Sequence, residues 1–233
     1  MPVQIGLLLF PHLTQLDLTG PLQVFSRIPG ATVHLVAKRI APVPSDTVLS
    51  LLPTIAFVDC PQLDVICVPG GTGTDALLGD DETLAFLRSQ SAGARFVTSV
   101  CTGSLVLGAA GLLRGYRATT HWSAMPHLAA FGAIPTASRV CIDRDRISGG
   151  GGTAGIDFAL TLTEMLTDRT TAQAIQLMLE YDPAPPFDAG SPASAPPAVL
   201  ALLEDRMAAA RQRRSDAVSR AAARLIAGAS TQF

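Results

Sequence analysis

Three short apolar runs, Gln4–Phe10, Asp64–Val68 and Arg95–Val100, end abruptly, at Pro11, at Pro69-Gly70-Gly71 and at Cys101-Thr102-Gly103. Each run is continuously apolar rather than alternating, as a strand covered on both faces requires. Helical stretches lie between and after them. Leu16–Ile28 has Thr14 or Asp17 to cap it and Pro21 near its first turn. Asp80–Ser91 carries acids in its first turn and Arg88 near its end, matching the helix dipole. Thr102–Leu112 closes at Gly111 and Gly115, and a longer helix runs from about Thr153 to Leu166. Further extended pieces are expected at Thr32–Ala37, Leu49–Ile55, Phe57–Cys60, Arg117–Thr120, Ala137–Ile142 and Arg146–Ser148, the last two separated by the turn Asp143-Arg144-Asp145. Strands alternating with helices predict an α/β fold, a doubly wound and mostly parallel sheet with helices on both faces. Ligands bind such sheets at the carboxyl ends of strands, where Asp17, Gly70, Gly71 and Cys101 fall.

The chain divides near residue 182. Residues 1–182 form the α/β domain. Residues 183–233 form a proline-rich linker and a C-terminal helical extension, one or two amphipathic helices over Val199–Ile226, packed on the domain or on a dimer partner. Six arginines against three acids between Glu204 and Arg224 read as a solvated helix face, and no helix–turn–helix pair is visible. The formal net charge of the 233 residues is −2, which offers nothing to attract nucleic acid or an anionic membrane. Phe96–Leu113 is eighteen residues without a charge, but its serines, threonines and glycines suit a buried strand turning into a buried helix better than a membrane span. With four cysteines, no CxxC pair and no cationic leader, the expectation is a cytoplasmic protein without a zinc ribbon or disulfide scaffold. Only 15% of residues are charged, which leaves apolar surface to cover and makes a homodimer the expected assembly.

Ser99-Val100-Cys101-Thr102-Gly103 carries the sharpest chemistry. A strand delivers a thiol into a tight turn at a helix N-terminus, the geometry of a nucleophile elbow with Cys for Ser. The helix end favours the thiolate. Cys60, Cys67 and Cys141 read as structural. A thiol nucleophile needs an acid or base. His12 and His121 are candidates, and so is Asp17, a carboxyl among apolar neighbours whose other reading is a helix cap. Gly70 and Gly71 can present amides to an anion or a polarised intermediate, but without the lysine of a P-loop. Gly149–Gly152 permits close backbone approach or mobility.

Leu16-Asp17-Leu18-Thr19-Gly20-Pro21, Val68-Pro69-Gly70-Gly71, Val100-Cys101-Thr102-Gly103, Ala118-Thr119-Thr120-His121-Trp122 and Ile147-Ser148-Gly149-Gly150 leading to Gly155–Phe158 together resemble the ThiJ/PfpI-like superfamily, relatives of class I glutamine amidotransferases. The resemblance implies a flavodoxin-like fold. With Asp17 at the acidic position and Thr102 rather than His after Cys101, the chain is most similar to the isocyanide hydratases within that superfamily. That likeness implies a small-molecule isocyanide as partner and no metal or cofactor. Cys101 would add to the protonated isocyanide carbon to give a thioimidate, Asp17 would supply the proton and then activate water, and Thr102 would use its hydroxyl or N–H to orient Asp17 and the substrate nitrogen. Gly70, Gly71, His121 and Gly150 would border the substrate. The same motifs are similar to the amidotransferase-like sensor domains of AraC-type regulators, so a non-enzymatic redox or ligand sensor is the alternative.

Overall fold

The computed structural model describes residues 2–230. The chain opens with β1 (Gln4–Leu8), α1 (Gln15–Phe25) and β2 (Thr32–Ala37), followed by three two-residue strands, β3 (Val43–Pro44), β4 (Ser50–Leu51) and β5 (Ile55–Ala56). Next come β6 (Val65–Val68), α2 (Thr74–Leu77), α3 (Asp81–Ser91), β7 (Phe96–Val100) and α4 (Gly103–Ala109). The remainder is β8 (Arg117–Ala118), 3₁₀ turns over Trp122–Phe131, β9 (Ile134–Pro135), β10 (Val140–Asp143), β11 (Arg146–Gly149), α5 (Ala154–Leu166), α6 (Arg169–Met178) and α7 (Pro197–Ser230).

Seven strands form one sheet in the order β10-β11-β7-β6-β1-β2-β5. Every pairing is parallel except β10 with β11. The central strands are apolar along their whole length because both faces are covered: Ile5, Leu7, Val65, Cys67, Val68, Val97 and Val100 are buried. From β1 the chain winds outward through α1 to β2, but from β6 it winds the other way through α3 to β7. Right-handed crossovers therefore put α1 and α3 on opposite faces. α5 packs on α1 and α6, with Phe158 edge-on to Phe25 at 6.0 Å between ring centroids, and α4 packs on α3. The reversal leaves a crevice between the carboxyl ends of β1 and β6, the switch point of a doubly wound sheet.

Several local expectations are corrected. Leu49–Ile55 and Phe57–Cys60 are not two strands: Val43–Pro44 pairs with Ser50–Leu51 in a small hairpin, and Phe57–Asp59 is a 3₁₀ turn. Arg117–Thr120 lies outside the main sheet, Arg117 and Ala118 pairing with Ile134 and Pro135. Pro21 is inside α1 rather than in its first turn, so it cannot return an N–H to the carbonyl of Asp17. Residues 183–196 run without helix or strand, and α7 is one helix of 34 residues, roughly 50 Å long at 1.5 Å per residue. It packs on α2, α4 and the Trp122–Phe131 turns through Ala217, Val218 and Ala221. Arg214, only 7% exposed, pairs with Asp75 at 2.8 Å. Among the described residues no helix is long and apolar enough to cross a membrane.

Candidate active site

β7 and α4 meet at Cys101, whose φ of 55° lies in the left-handed region that residues with a Cβ rarely adopt. Hydrogen bonds at both its amide and its carbonyl hold it there. Its amide donates to the carbonyls of Gly150 (2.8 Å) and Gly149 (3.1 Å), and its own carbonyl accepts from Thr120 Oγ1 at 2.9 Å. Gly103 follows because a Cβ there would stand 2.0 Å from the Val68 carbonyl oxygen. The turn thus aims the thiol back over the end of β6 while leaving it 8% exposed.

Asp17 reaches the same point from the first turn of α1. It is fully buried, and its Oδ2 accepts the Gly70 amide at 3.1 Å. It does not cap the helix; Thr14 occupies that position. Oδ1 is buried with no partner at hydrogen-bond distance. Burial pushes the carboxyl up to about 6, with Asp46 adding to the rise, while the Cys101 thiol and the Gly70 and Gly152 amides counter it in part. Burial also pushes the Cys101 thiol up, and the Asp17 charge pushes it further; the amide and hydroxyl of Thr102 oppose this without overcoming it. The expectation of a ready-made thiolate is therefore corrected. The shift of the thiol keeps its proton on sulfur in the resting site, beside a carboxyl that burial makes a better proton acceptor than an exposed one.

Gly70 is the hub of this corner. A Cβ on it would lie 2.6 Å from the Thr102 nitrogen and 2.7 Å from both Asp17 Oδ2 and Cys101 Cβ. The two glycine amides are already engaged: Gly70 donates to Asp17, and Gly71 donates to Thr102 Oγ1 at 3.0 Å. Both amides thus tie the loop after β6 to the Asp17 and Thr102 side chains. Thr102 brings its nitrogen to this same corner, where a Gly70 Cβ would also meet Asp17. Its hydroxyl bonds to the Gly71 carbonyl (3.2 Å) and to Thr74 Oγ1 (3.2 Å) and not to Asp17. Thr74, buried and also donating to the Gly71 carbonyl at 2.7 Å, is a member of the site that sequence reasoning missed.

The histidines stand apart. Nδ1 of His121 accepts from the Ser123 amide at 3.3 Å and contacts Ser123 Oγ at 2.8 Å, leaving the proton on Nε2. Burial, with Arg214 and Arg211, holds the ring neutral. His12 is exposed over a separate depression beside Lys38. His121 and Gly150 line a cavity of about 900 Å³ together with Trp122, Met125, Gly152 and the chain at Gly190–Ala193. Cys101 does not line it. Gly152 stands between, one wall of the cavity on one side and an amide near Asp17 on the other. Among the described residues no group of three or more His, Cys, Asp or Glu side chains could hold a metal ion.

Known proteins share this fold. The model of the DJ-1/PfpI family matches residues 3–165. The isonitrile (isocyanide) hydratase of Pseudomonas putida is 58% identical over 97% of this chain and 99% of that protein. A crystal structure of a ThiJ/PfpI family protein from Pseudomonas syringae is 48% identical and superposes with a TM-score of 0.91, covering 94% of this chain and 91% of that one. The HTH-type transcriptional regulator GbdR of Pseudomonas aeruginosa is 31% identical over 78% of this chain, which spans 51% of the regulator. On the family model and the near-full-length likenesses together, this chain belongs to the DJ-1/PfpI family.

Proposed function

We propose that the protein hydrates isocyanides to N-substituted formamides, with Cys101 as nucleophile and Asp17 as proton carrier. The observation that carries this reading is the near-full-length identity to isonitrile hydratase. The buried Cys101 thiol beside the buried Asp17 carboxyl supplies a chemistry for it. Asp17 takes the thiol proton and delivers it to the terminal carbon of R–N≡C as sulfur bonds to that carbon, giving the thioimidate R–N=CH–S–Cys101. Water then adds to the same carbon while Asp17 receives one of its protons and the nitrogen gains the other. The C–S bond breaks, sulfur regains the proton held by Asp17, and R–NH–CHO leaves. Both steps need only a thiol and an acid, so neither metal nor cofactor enters the scheme. Thr102, through Gly71 and Thr74, positions the Gly70 amide that orients Asp17. The protein is taken to act as a homodimer, and light scattering reporting only monomer mass would remove that part.

The direct test mixes purified protein with an aryl isocyanide and follows formamide absorbance, with Cys101→Ala in parallel. Turnover in the wild type alone is expected; equal turnover in both would sink the scheme. The likeness to GbdR favours one rival, a sensor domain. A sensor would turn nothing over and would accumulate a stable sulfinate at Cys101 under mild peroxide.

A further inference from the structure

We infer that the C-terminal extension is a specificity element, in which residues 190–193 form the outer wall of the cavity that receives the substituent on the isocyanide nitrogen. The inference rests on the hydratase reading for its substrate, but the placement of the wall stands on the cavity itself. Gly150 and Thr120 both line that cavity and both bond the Cys101 backbone, the Gly150 carbonyl accepting its amide at 2.8 Å and the Thr120 hydroxyl donating to its carbonyl at 2.9 Å, so cavity and reacting thiol are one residue apart. An isocyanide is slim at its carbon end. Its carbon can approach the buried sulfur while its bulk stays outside, in the cavity.

The lining fits an uncharged, apolar substituent. Trp122, Met125, Pro192 and Ala193 all line the space, and the one guanidinium in the lining, Arg139, is neutralised by Asp157 at 2.6 Å. The thioether of Met125 adapts to different shapes. The wall opposite is a strap suspended between two anchors. At one end Tyr181 donates its hydroxyl to Asp157 at 3.0 Å; at the other α7 is fixed by Arg214 to Asp75. Between them, Ser191 and Ser194 bond only to each other's neighbourhood, and prolines at 183, 185, 186, 192 and 196 stiffen the path. The family model ends at residue 165, whereas the likeness to the hydratase runs over 97% of the chain, so the extension is shared with that enzyme.

The experiment compares wild type with Ala193→Phe, which adds bulk to the wall, and with a Pro192→Gly/Ala193→Gly double variant, which removes it. Methyl isocyanide and a bulky 4-substituted aryl isocyanide are the two substrates. Ala193→Phe is expected to raise KM for the aryl compound at least tenfold and to leave KM for methyl isocyanide within twofold, with kcat unchanged for both; the double variant is expected to lower the aryl KM. An unchanged ratio of kcat/KM for the two substrates in both variants overturns the inference. A wild type that turns over neither substrate refutes the hydratase reading instead. In that event the single tryptophan, Trp122, reports binding directly. Fluorescence titration with N-cyclohexylformamide must then give a Kd at least tenfold weaker in Ala193→Phe, and equal affinities overturn the wall assignment.

Discussion

Gly70 donates its amide to Oδ2 of Asp17 across the gap between the ends of β6 and β1, and this bond at 3.1 Å helps to hold the carboxyl beside Cys101. The contact exists because position 70 has no side chain. In Gly70→Ala the methyl would meet Asp17, Thr102 and Cys101 at 2.6–2.7 Å, forcing the pair apart. Activity is expected to fall at least about 100-fold, the scale of a 1 Å misplacement, with the fold retained by circular dichroism. Activity within twofold of wild type would contradict the role of this corner.

Asp17→Asn keeps the shape and removes the proton carrier, so kcat should drop by roughly 10²–10⁴. Its stability should move the other way. The folded-state carboxyl titrates at about 6 against a usual value of 3.8, so the native state binds the proton more tightly than the unfolded chain. Stability from this group is complete below about pH 4 and is lost as pH rises to 6, by about 3 kcal/mol. The difference between variant and wild type in urea unfolding should therefore grow in the variant's favour from pH 4 to pH 7. A constant difference would show that Asp17 is not held up by burial.

Cys101 combines reactivity with an unfavourable backbone. Both Cys101→Ala and Cys101→Gly should be inactive. Because only glycine escapes the steric cost of φ near 55°, Cys101→Gly should be more stable than Cys101→Ala by about 1 kcal/mol in chemical denaturation. The reverse order would mean the turn relaxes once sulfur is gone.

Thr102→Val removes the acceptor for the Gly71 amide and the partner of Thr74 inside a buried network, with an expected loss of about 1–3 kcal/mol. Thr102→Ser keeps both bonds and should restore most of the loss. Activity should track stability across this pair, because the hydroxyl acts through the glycine loop.

Asp75→Ala leaves Arg214 charged and nearly buried, at a cost of about 3–5 kcal/mol. Thermal melting should show it, while replacing both partners with apolar residues should recover much of the difference.

The parts of the fold legible in the sequence were those with one dominant cause. Runs such as Val65–Val68 are apolar because they are covered twice, and Cys101 announced itself as a thiol between a strand and a glycine. What escaped depended on tertiary partners. The direction of the Gly70 and Gly71 amides is set by Asp17 and Thr102, residues distant in sequence. The elevated Cys101 thiol follows from the depth of the site, which no local pattern encodes. α6 did leave a signal that went unread: Asp168 accepts from the Thr171 amide at 2.9 Å, an N-cap with its first-turn partner.

The two outermost strands of the sheet differ sharply from its centre. β5 offers two residues, and β10 ends in a hairpin whose turn is Asp143, Arg144 and Asp145. A passing strand would find on one side too little backbone to pair with and on the other a row of charges to bury. The sheet ends at seven strands, and both of its edges offer a neighbouring molecule little to pair with, which for a chain poor in charge works against edge-to-edge association.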